Sequence, residues 1–303
     1  MSVDPWTLDT LVEAYKQHQR RTRGLREQTL RGYERLVRLF LRAALGDDPI
    51  DPARLSSSDV IGFVAAMRGQ FSARSMKAVR TALRSLFRFL RVEGLCDERL
   101  EAAIPTVAHW RLSTLPRCLS DEQLEQLLAS LDASRPRDRA IVLCLASLGL
   151  RPGEVAGLRL EDIDWRGGSV HLRERKTRQG AVVPLPREAG RAIVAYLRTE
   201  RPATEERRLF VQQLGARRGQ PISSNAVSAV VVRALRRARV EAPLAGAYVF
   251  RHTVASRMVR RGASLKEVAD FLGHRALDTA AIYAKLDLAA LREVALPWPE
   301  VTR

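Results

Sequence analysis

Helical periodicity without a strand pattern runs from Val3 to about Ala103 and limits this part of the chain to an all-α fold. One stretch, REQTLRGYERLVRLFLRAALG, places apolar residues on a single helical face: Leu30, Tyr33, Leu36, Phe40 and Leu41. A second stretch, SMKAVRTALRSLFRFLRVEG, repeats the arrangement: Met76, Val79, Leu83, Leu86 and Leu90. The pattern predicts a helical domain over residues 1–103.

Both helices also carry a row of basic residues beside the apolar face, which we call the basic rails. The first rail holds Arg31, Arg35, Arg38 and Arg42, and the second holds Lys77, Arg80, Arg84 and Arg88. An ordinary solvated face mixes charge signs, whereas acids are scarce on these rows. We expect the rails to contact nucleic-acid phosphates, with plain solvent exposure as the alternative.

The overall charge points to the same partner. Lys and Arg number 51 against 34 Asp and Glu, which gives a net charge of +17. A chain this basic is typical of nucleic-acid binding, because neutralising phosphates releases counterions; a basic surface that only aids solubility is the alternative. Five residues are lysines and the rest arginines, which suits bidentate contact with phosphate oxygens.

Other features limit where the chain works. No apolar run reaches the roughly 18 residues of a membrane span, and the N-terminus has no apolar signal region, so we expect neither membrane insertion nor export. Cys96, Cys118 and Cys144 fit neither a disulfide framework nor a zinc site. They predict reduced thiols in a cytoplasmic protein.

The length of 303 residues allows two domains. IPTVAHWRLSTLP has a proline near each end and no sustained period, which predicts a linker over residues 104–117, a second domain over 118–287 and a tail over 288–303. In the second domain, Gly149 and Gly273 are expected to end helices and Pro152 to begin one.

A β-rich region, IDWRGGSVHLRERKTRQGAVVPLP, interrupts the helices and predicts two or three short antiparallel strands. The fold class is therefore mainly α with a small antiparallel β-sheet, and the second domain is α+β.

Several residues of the second domain are candidates for chemistry, but each has an ordinary interpretation. Arg151 could be a surface residue, Lys176 a solvated turn residue and His274 a partner of a helix dipole. The pair Arg251-His252 could form a salt bridge on a helix face, and Tyr283 could be an aromatic at the core edge.

The order and spacing of four motifs change this interpretation: GLRPGEVAGLRLEDID, RKTRQGAVVPL, FRHTVAS and LGHRALDTAAIY. They resemble the catalytic domain of the tyrosine recombinases, the integrase family that includes phage integrases and Xer-type chromosome resolvases. The helical first domain fits that family's SAM-like core-binding domain. The C-terminal part looks most like integrases of mobile elements.

The resemblance implies a role for each candidate residue. Arg151 and Arg251 would bind the scissile phosphate, with His274 donating a further hydrogen bond, Tyr283 would be the nucleophile, and Lys176 would protonate the leaving 5′-oxygen. Fixed cations can stabilise phosphoryl transfer, and covalent capture stores the bond energy. The implied reaction, a site-specific cutting and rejoining of DNA through a 3′-phosphotyrosyl bond, needs no metal, no ATP and no other cofactor.

Tyr248 departs from the pattern, because the family usually has His or Lys three residues before the second arginine. A phenol is a poor base at neutral pH but can donate a hydrogen bond. Tyr248 is thus a provisional catalytic residue, and the alternatives are a tolerated substitute, slow or partner-dependent catalysis, or DNA binding without catalysis. We interpret His252 as structural and expect Glu154 to orient Arg151 or cap its helix.

The resemblance also implies partners. These are double-stranded DNA and other copies of the chain in a homo-tetramer on paired sites, and the resemblance leaves open whether related recombinases join it. The tail carries an apolar stripe, Leu288, Leu291 and Val294, that could dock on a neighbouring protomer or fold back on its own domain. A type IB topoisomerase-like enzyme and a non-catalytic or partner-dependent recombination accessory protein are the rival functions.

Overall fold

The computed structural model of the chain divides it into two compact units, Met1–Trp110 and Arg111–Arg303. The residues it describes are 6–25, 27–46, 48–96, 99–106, 115–173, 180–244, 246–273 and 279–286. In these ranges, no helix combines the length and the apolar character that crossing a membrane requires.

The first unit is helical, as the sequence pattern predicts. Its helices are α1 Leu8–Arg23, α2 Glu27–Leu45, α3 Ser57–Arg68, α4 Ala73–Val92 and the short α5 Arg99–Ala102, with a 3-10 turn at Pro52–Arg54. The apolar faces predicted for α2 and α4 are buried in its core, apart from Tyr33, which packs at the edge. The ring of Phe40 on α2 meets Phe63 of α3 and Phe87 of α4 edge to face, at centroid distances of 5.2 and 5.5 Å.

The second unit has more helices and one small sheet. Its helices are α6 Asp121–Ala129, α7 Pro136–Leu148, α8 Pro152–Gly157, α9 Arg187–Thr199, α10 Ser224–Arg237, α11 Tyr248–Arg260 and α12 Leu265–Leu272, followed by a 3-10 helix, Ala281–Leu286. Gly149 and Gly273 both take left-handed backbone angles at helix ends, and Pro152 is the first residue of α8. These three boundary predictions are confirmed.

The sheet consists of β1 Ile163–Asp164, β2 Ser169–Leu172 and β3 Ala181–Pro184 in sequential antiparallel order. Val170 pairs with Val183, and both side chains are buried against the helices. The Asp164 carboxylate accepts hydrogen bonds from the N–H groups of Arg166 and Gly167 and so shapes the turn into β2. The prediction of a few short antiparallel strands is confirmed.

Helix α7 lies in the core of this unit and packs against α9, α10 and α11. A smaller apolar cluster joins α11, α12 and the 3-10 helix Ala281–Leu286. Because α11 belongs to both packing regions, its residues lie between the end of α7 and the 3-10 helix. The candidate residues Arg251 and Tyr283 are brought together by this arrangement.

Candidate active site

Arg151 is held at the turn between α7 and α8. It is the residue before α8, and its backbone N–H donates to Glu154 Oε2 at 2.8 Å. Its guanidinium donates to the other oxygen of the same carboxylate, Nη1 to Oε1, at 2.6 Å. Glu154 therefore caps the helix and orients the arginine at once, which confirms the role expected for it.

Gly149 lets the end of α12 approach this turn. Its φ is +59°, and a Cβ at this position would lie 2.9 Å from Leu272 Cδ2 and 3.4 Å from Val254 Cβ. Glycine is the residue that takes a left-handed conformation without steric cost, and here it also leaves the space that the Leu272 side chain fills.

Arg251 lies on α11 and is buried, with 6% of its surface exposed. Its Nη1 donates to the carbonyl of Gly149 at 3.0 Å, and its Nη2 donates to the carbonyl of Leu272 at 2.5 Å. The next carbonyl along the chain, that of Gly273, accepts a hydrogen bond from Arg151 Nη2 at 3.3 Å. The two candidate arginines thus converge on one point, where the ends of α7 and α12 meet.

Helix ends explain why two guanidinium groups are stable here. The carbonyls of Gly149, Leu272 and Gly273 stand at the C-terminal ends of α7 and α12, where the helix dipole favours positive charge. Burying a charge is costly unless hydrogen bonds compensate for it, and these carbonyls supply such bonds. The arrangement presents fixed positive charge, as phosphate binding requires.

Tyr283 lies in the 3-10 helix Ala281–Leu286 and is buried, with 2% of its surface exposed. Its ring packs in the cluster formed by α11 and α12. Its hydroxyl lies 2.9 Å from His252 Nδ1, at hydrogen-bond distance, and the two ring centroids are 5.8 Å apart. From the sequence we expect only a structural role for His252. The structure adds this contact with the candidate nucleophile.

The surroundings of Tyr283 change its acidity. Burial raises the pKa of Tyr283 to about 12, while the nearby Arg251 guanidinium acts in the opposite direction and Cys118 adds to the increase. Desolvation disfavours the charged phenolate and is the largest of these effects. The phenol therefore keeps its proton at neutral pH in this conformation.

Tyr248 is the first residue of α11, and 51% of its surface is exposed. His252 follows it by four positions, so the two side chains lie about one turn apart on the same face of the helix. That spacing is present in the sequence and could have linked His252 to the site.

Lys176 and His274, the remaining candidates, lie outside the described residues.

The basic rails of the first unit are mostly accessible. Arg31, Arg35, Arg42, Lys77 and Arg88 are exposed, whereas Arg38, Arg80 and Arg84 are partly buried. Among the described residues, acids pair with two of the eight: Arg38 binds Asp9 at 2.5 Å and Glu34 at 3.3 Å, and Arg88 binds Glu101 at 2.9 Å. Asp9 and Glu101 belong to α1 and α5, so the pattern within a single helix could not reveal them.

In the part of the chain that the structure describes, no three His, Cys, Asp or Glu side chains lie close enough together to hold a metal ion. The positive groups described at the site are the guanidinium groups of Arg151 and Arg251.

Known proteins resemble both units. Residues 117–289 match the model of the phage integrase family, and residues 12–94 match the N-terminal SAM-like domain of phage integrases. The putative integrase/recombinase y4rA of Sinorhizobium fredii is 42% identical over 98% of this chain and 72% of its own length. The tyrosine recombinase XerA of Thermococcus kodakarensis is 32% identical over 89% of each chain.

Among solved structures, the XerH site-specific recombinase bound to palindromic difH substrate, in its post-cleavage complex, superimposes with a TM-score of 0.73. The match covers 97% of this chain and 85% of XerH at 20% identity, so it concerns the fold. The mainly α fold class, with its small antiparallel sheet and SAM-like first domain, is confirmed. The chain belongs to the phage integrase family and is a tyrosine-type DNA recombinase.

Proposed function

We propose that this recombinase cuts and rejoins double-stranded DNA at specific sites through a 3′-phosphotyrosyl bond to Tyr283, without metal or ATP. The observation that carries the proposal is the convergence of Arg151 and Arg251 on the carbonyls of Gly273 and Leu272. Arg251 is also close enough to Tyr283 to influence its pKa. The two proposed phosphate-binding groups and the proposed nucleophile are thus grouped around α11.

The arginines would supply the charge that the transition state needs. A phosphodiester resists attack because its non-bridging oxygens repel nucleophiles, and phosphoryl transfer depends mainly on positioning and charge stabilisation. Guanidinium groups stay protonated at any working pH. Because carbonyl and carboxylate partners already fix Arg151 and Arg251, their charge would be presented with little reorganisation.

In the cleavage step, the Tyr283 Oη–P bond would form as the P–O5′ bond breaks. The leaving 5′-oxygen would take a proton from Lys176, the residue that the family motif aligns with the general acid. His274 would donate a further hydrogen bond to the phosphate. The reverse reaction with a different 5′-hydroxyl completes strand exchange and consumes no external energy.

Cleavage also requires Tyr283 to become accessible. With 2% of its surface exposed, its hydroxyl cannot reach a DNA phosphate in the described conformation. We expect DNA binding to move the 3-10 helix Ala281–Leu286 so that the phenol opens toward the DNA while it stays beside α11. The energetic cost of that movement would be supplied by contacts with DNA.

Identical subunits on paired DNA sites are the assembly that this reaction calls for. XerH was solved on a palindromic site, and paired sites of this kind suit an assembly of identical subunits. We propose a homo-tetramer on two such sites, with the tail carrying Leu288, Leu291 and Val294 docked on the neighbouring protomer. The basic rails would contact the DNA backbone, which positions the protein without specifying bases.

Covalent capture tests this function and identifies the target sequence in the same experiment. The full-length chain is incubated with a pool of randomised duplexes that carry a nick, so that a cleaved end diffuses away and the adduct is trapped. DNA that stays attached after denaturation is then sequenced. We expect a recurring sequence from the wild type and none from Tyr283→Phe; equal recovery from both would overturn the role of Tyr283.

A recombination accessory protein that binds DNA without cutting it is the second candidate. The half-exposed phenol of Tyr248 and the buried hydroxyl of Tyr283 favour it. In the same experiment such a protein would retard DNA in a gel and leave no adduct after denaturation. Relaxation of a supercoiled plasmid that lacks the captured sequence would instead support the topoisomerase-like alternative.

A further inference from the structure

We infer that His252 accepts the phenolic proton of Tyr283 when the tyrosine attacks DNA. The inference rests on the function proposed above, because it assigns a role within that reaction.

The contact between the two side chains already has the geometry of a proton transfer. The hydroxyl of Tyr283 and Nδ1 of His252 are 2.9 Å apart, within the range expected of a base and the proton it takes. A neutral imidazole with its proton on Nε2 presents Nδ1 as an acceptor. The phenol then donates to His252, and the pair is arranged for transfer before DNA arrives.

Tyr283 needs a neighbouring group that can accept its proton. Burial raises the pKa of its phenol to about 12, so the hydroxyl does not lose its proton spontaneously at neutral pH. Tyr248 carries a phenol of its own, a group that can donate a hydrogen bond but serves poorly as a general base. Cys118 is also nearby, but its sulfur accepts a hydrogen bond from Arg260 Nη2 at 3.8 Å.

The position of His252 on α11 supports the same role. Tyr248 stands where the family usually has His or Lys, and His252 lies about one helical turn further along the same face. An imidazole is therefore available close to the point where the family pattern places a titratable group. The imidazole that contacts the proposed nucleophile is therefore at position 252 instead of position 248.

The helix around His252 is firmly held. Arg251 bonds to the carbonyls of Gly149 and Leu272. On the other side, Thr253 Oγ1 accepts from the N–H of Leu119 at 2.9 Å and donates to the carbonyl of Val249 at 2.9 Å. A base fixed between two anchored residues keeps its position, while the tyrosine is carried by a short 3-10 helix.

The proton and the phosphoryl group are both accounted for in this step. The Tyr283 O–H bond breaks and the proton bonds to His252 Nδ1, giving an imidazolium as the Oη–P bond forms and the P–O5′ bond breaks. The leaving 5′-oxygen takes its proton from the general acid proposed above. In rejoining, the imidazolium returns the proton to the departing phenolate, so His252 ends unchanged.

His252→Asn is the sharpest variant, because an asparagine amide oxygen can lie near the Nδ1 position and accept from the phenol without taking its proton. The substrate is a nicked duplex with the sequence that the wild type captures, and the rate of adduct formation is measured for the full-length chain. We expect a loss of about 100-fold, the low end of general base catalysis. A rate within threefold of wild type would overturn the inference.

A more acidic phenol separates proton transfer from positioning. With 3,5-difluorotyrosine incorporated at position 283, the difference between the wild-type and His252→Asn proteins should shrink to less than about tenfold, because the phenol needs the base less. A loss of the same size with both phenols would mean that His252 only holds the tyrosine, and would overturn the inference.

Two controls complete the experiment. His171→Gln removes an exposed imidazole from β2 of the same unit, and its ratio of rates for the two phenols should equal that of wild type. If His252→Asn unfolds, as thermal unfolding would reveal, His252→Gln is tested in the same way. If the wild type forms no adduct with any sequence, the proposed function itself fails, which is distinct from a normal adduct rate in the His252 variants.

Discussion

Arg151, in the turn before α8, and Arg251, on α11, donate hydrogen bonds to consecutive carbonyls, those of Gly273 and Leu272. The two guanidinium groups are thereby fixed relative to the end of α12 and to each other. His274, the next residue of the family motif, follows these carbonyls in the sequence and lies outside the described residues. The arrangement brings together two arginine motifs that are far apart in the chain, as the proposed binding of one phosphate requires.

Lysine should not support the function of either arginine, although it keeps the positive charge. A guanidinium reaches two acceptors from a planar fork, whereas an ammonium is a single point of charge. For Arg251→Lys and Arg151→Lys we expect adduct formation to fall at least 100-fold, measured with the nicked duplex. Arg251→Lys should also lower the free energy of unfolding more than Arg151→Lys, by about 2 kcal/mol, because Arg251 is the more buried. Equal activity of the lysine variants and wild type would contradict this role of the guanidinium groups.

Gly149→Ala should destabilise the second unit. The backbone at this position is left-handed, and the new Cβ would meet Leu272 Cδ2 at 2.9 Å. We expect a loss of about 2–4 kcal/mol in urea unfolding, of which about 1–2 kcal/mol is the left-handed conformation. Gly168→Ala is the matched control, since φ there is +60° and nothing lies within 4 Å of the added Cβ. If the two variants lose equal stability, the close approach of α12 to this turn is wrong.

The buried phenol of Tyr283 predicts a pH dependence of stability. Its pKa is raised from 10.0 to about 12, so the folded state holds the proton more tightly than the unfolded state. The stabilising contribution is complete below pH 10 and is lost as the pH rises through 12. Between pH 9 and pH 11, wild type should lose about 1 kcal/mol more than Tyr283→Phe in unfolding of the second unit. Parallel losses in both proteins would show that the phenol is accessible.

The basic rails predict how salt weakens DNA binding. The logarithm of the DNA affinity falls linearly with the logarithm of the salt concentration, and each phosphate contact that is lost should make this slope less steep by about 0.9. Replacing Arg31, Arg35 and Arg42 together by alanine should therefore reduce the slope by about 3. Arg38→Ala is the control on the same helix and should change the slope by less than about 1, because Asp9 and Glu34 already pair with Arg38. An unchanged slope in the triple variant would exclude the first rail from the DNA interface.

Local patterns in the sequence predict much of this fold. The apolar spacing of α2 and α4 identifies their buried faces, and Gly149, Pro152 and Gly273 mark helix boundaries because their backbone preferences act locally. The capping role of Glu154 follows from its position three residues after Arg151. Each of these features depends on neighbours in the same element, which is why the sequence suffices.

Contacts between elements could not be predicted in this way. Asp9 of α1 neutralises part of Arg38 on α2, although no pattern within α2 indicates it. The contact of His252 with Tyr283 likewise depends on how the 3-10 helix packs against α11. The burial of Tyr283 follows from the same packing, whereas the family motif indicates only that a tyrosine is present.

A covalent bond between DNA and Tyr283 is the central claim, and peptide mapping of the adduct tests it most directly. After trapping, the DNA is digested with nuclease and the protein with trypsin. Cleavage after Arg275 and Lys285 releases ALDTAAIYAK, in which Tyr283 is the single tyrosine. We predict that mass spectrometry finds the nucleotide remnant on this tyrosine. A remnant on any other residue, or an adduct that persists in Tyr283→Phe, would contradict the claim.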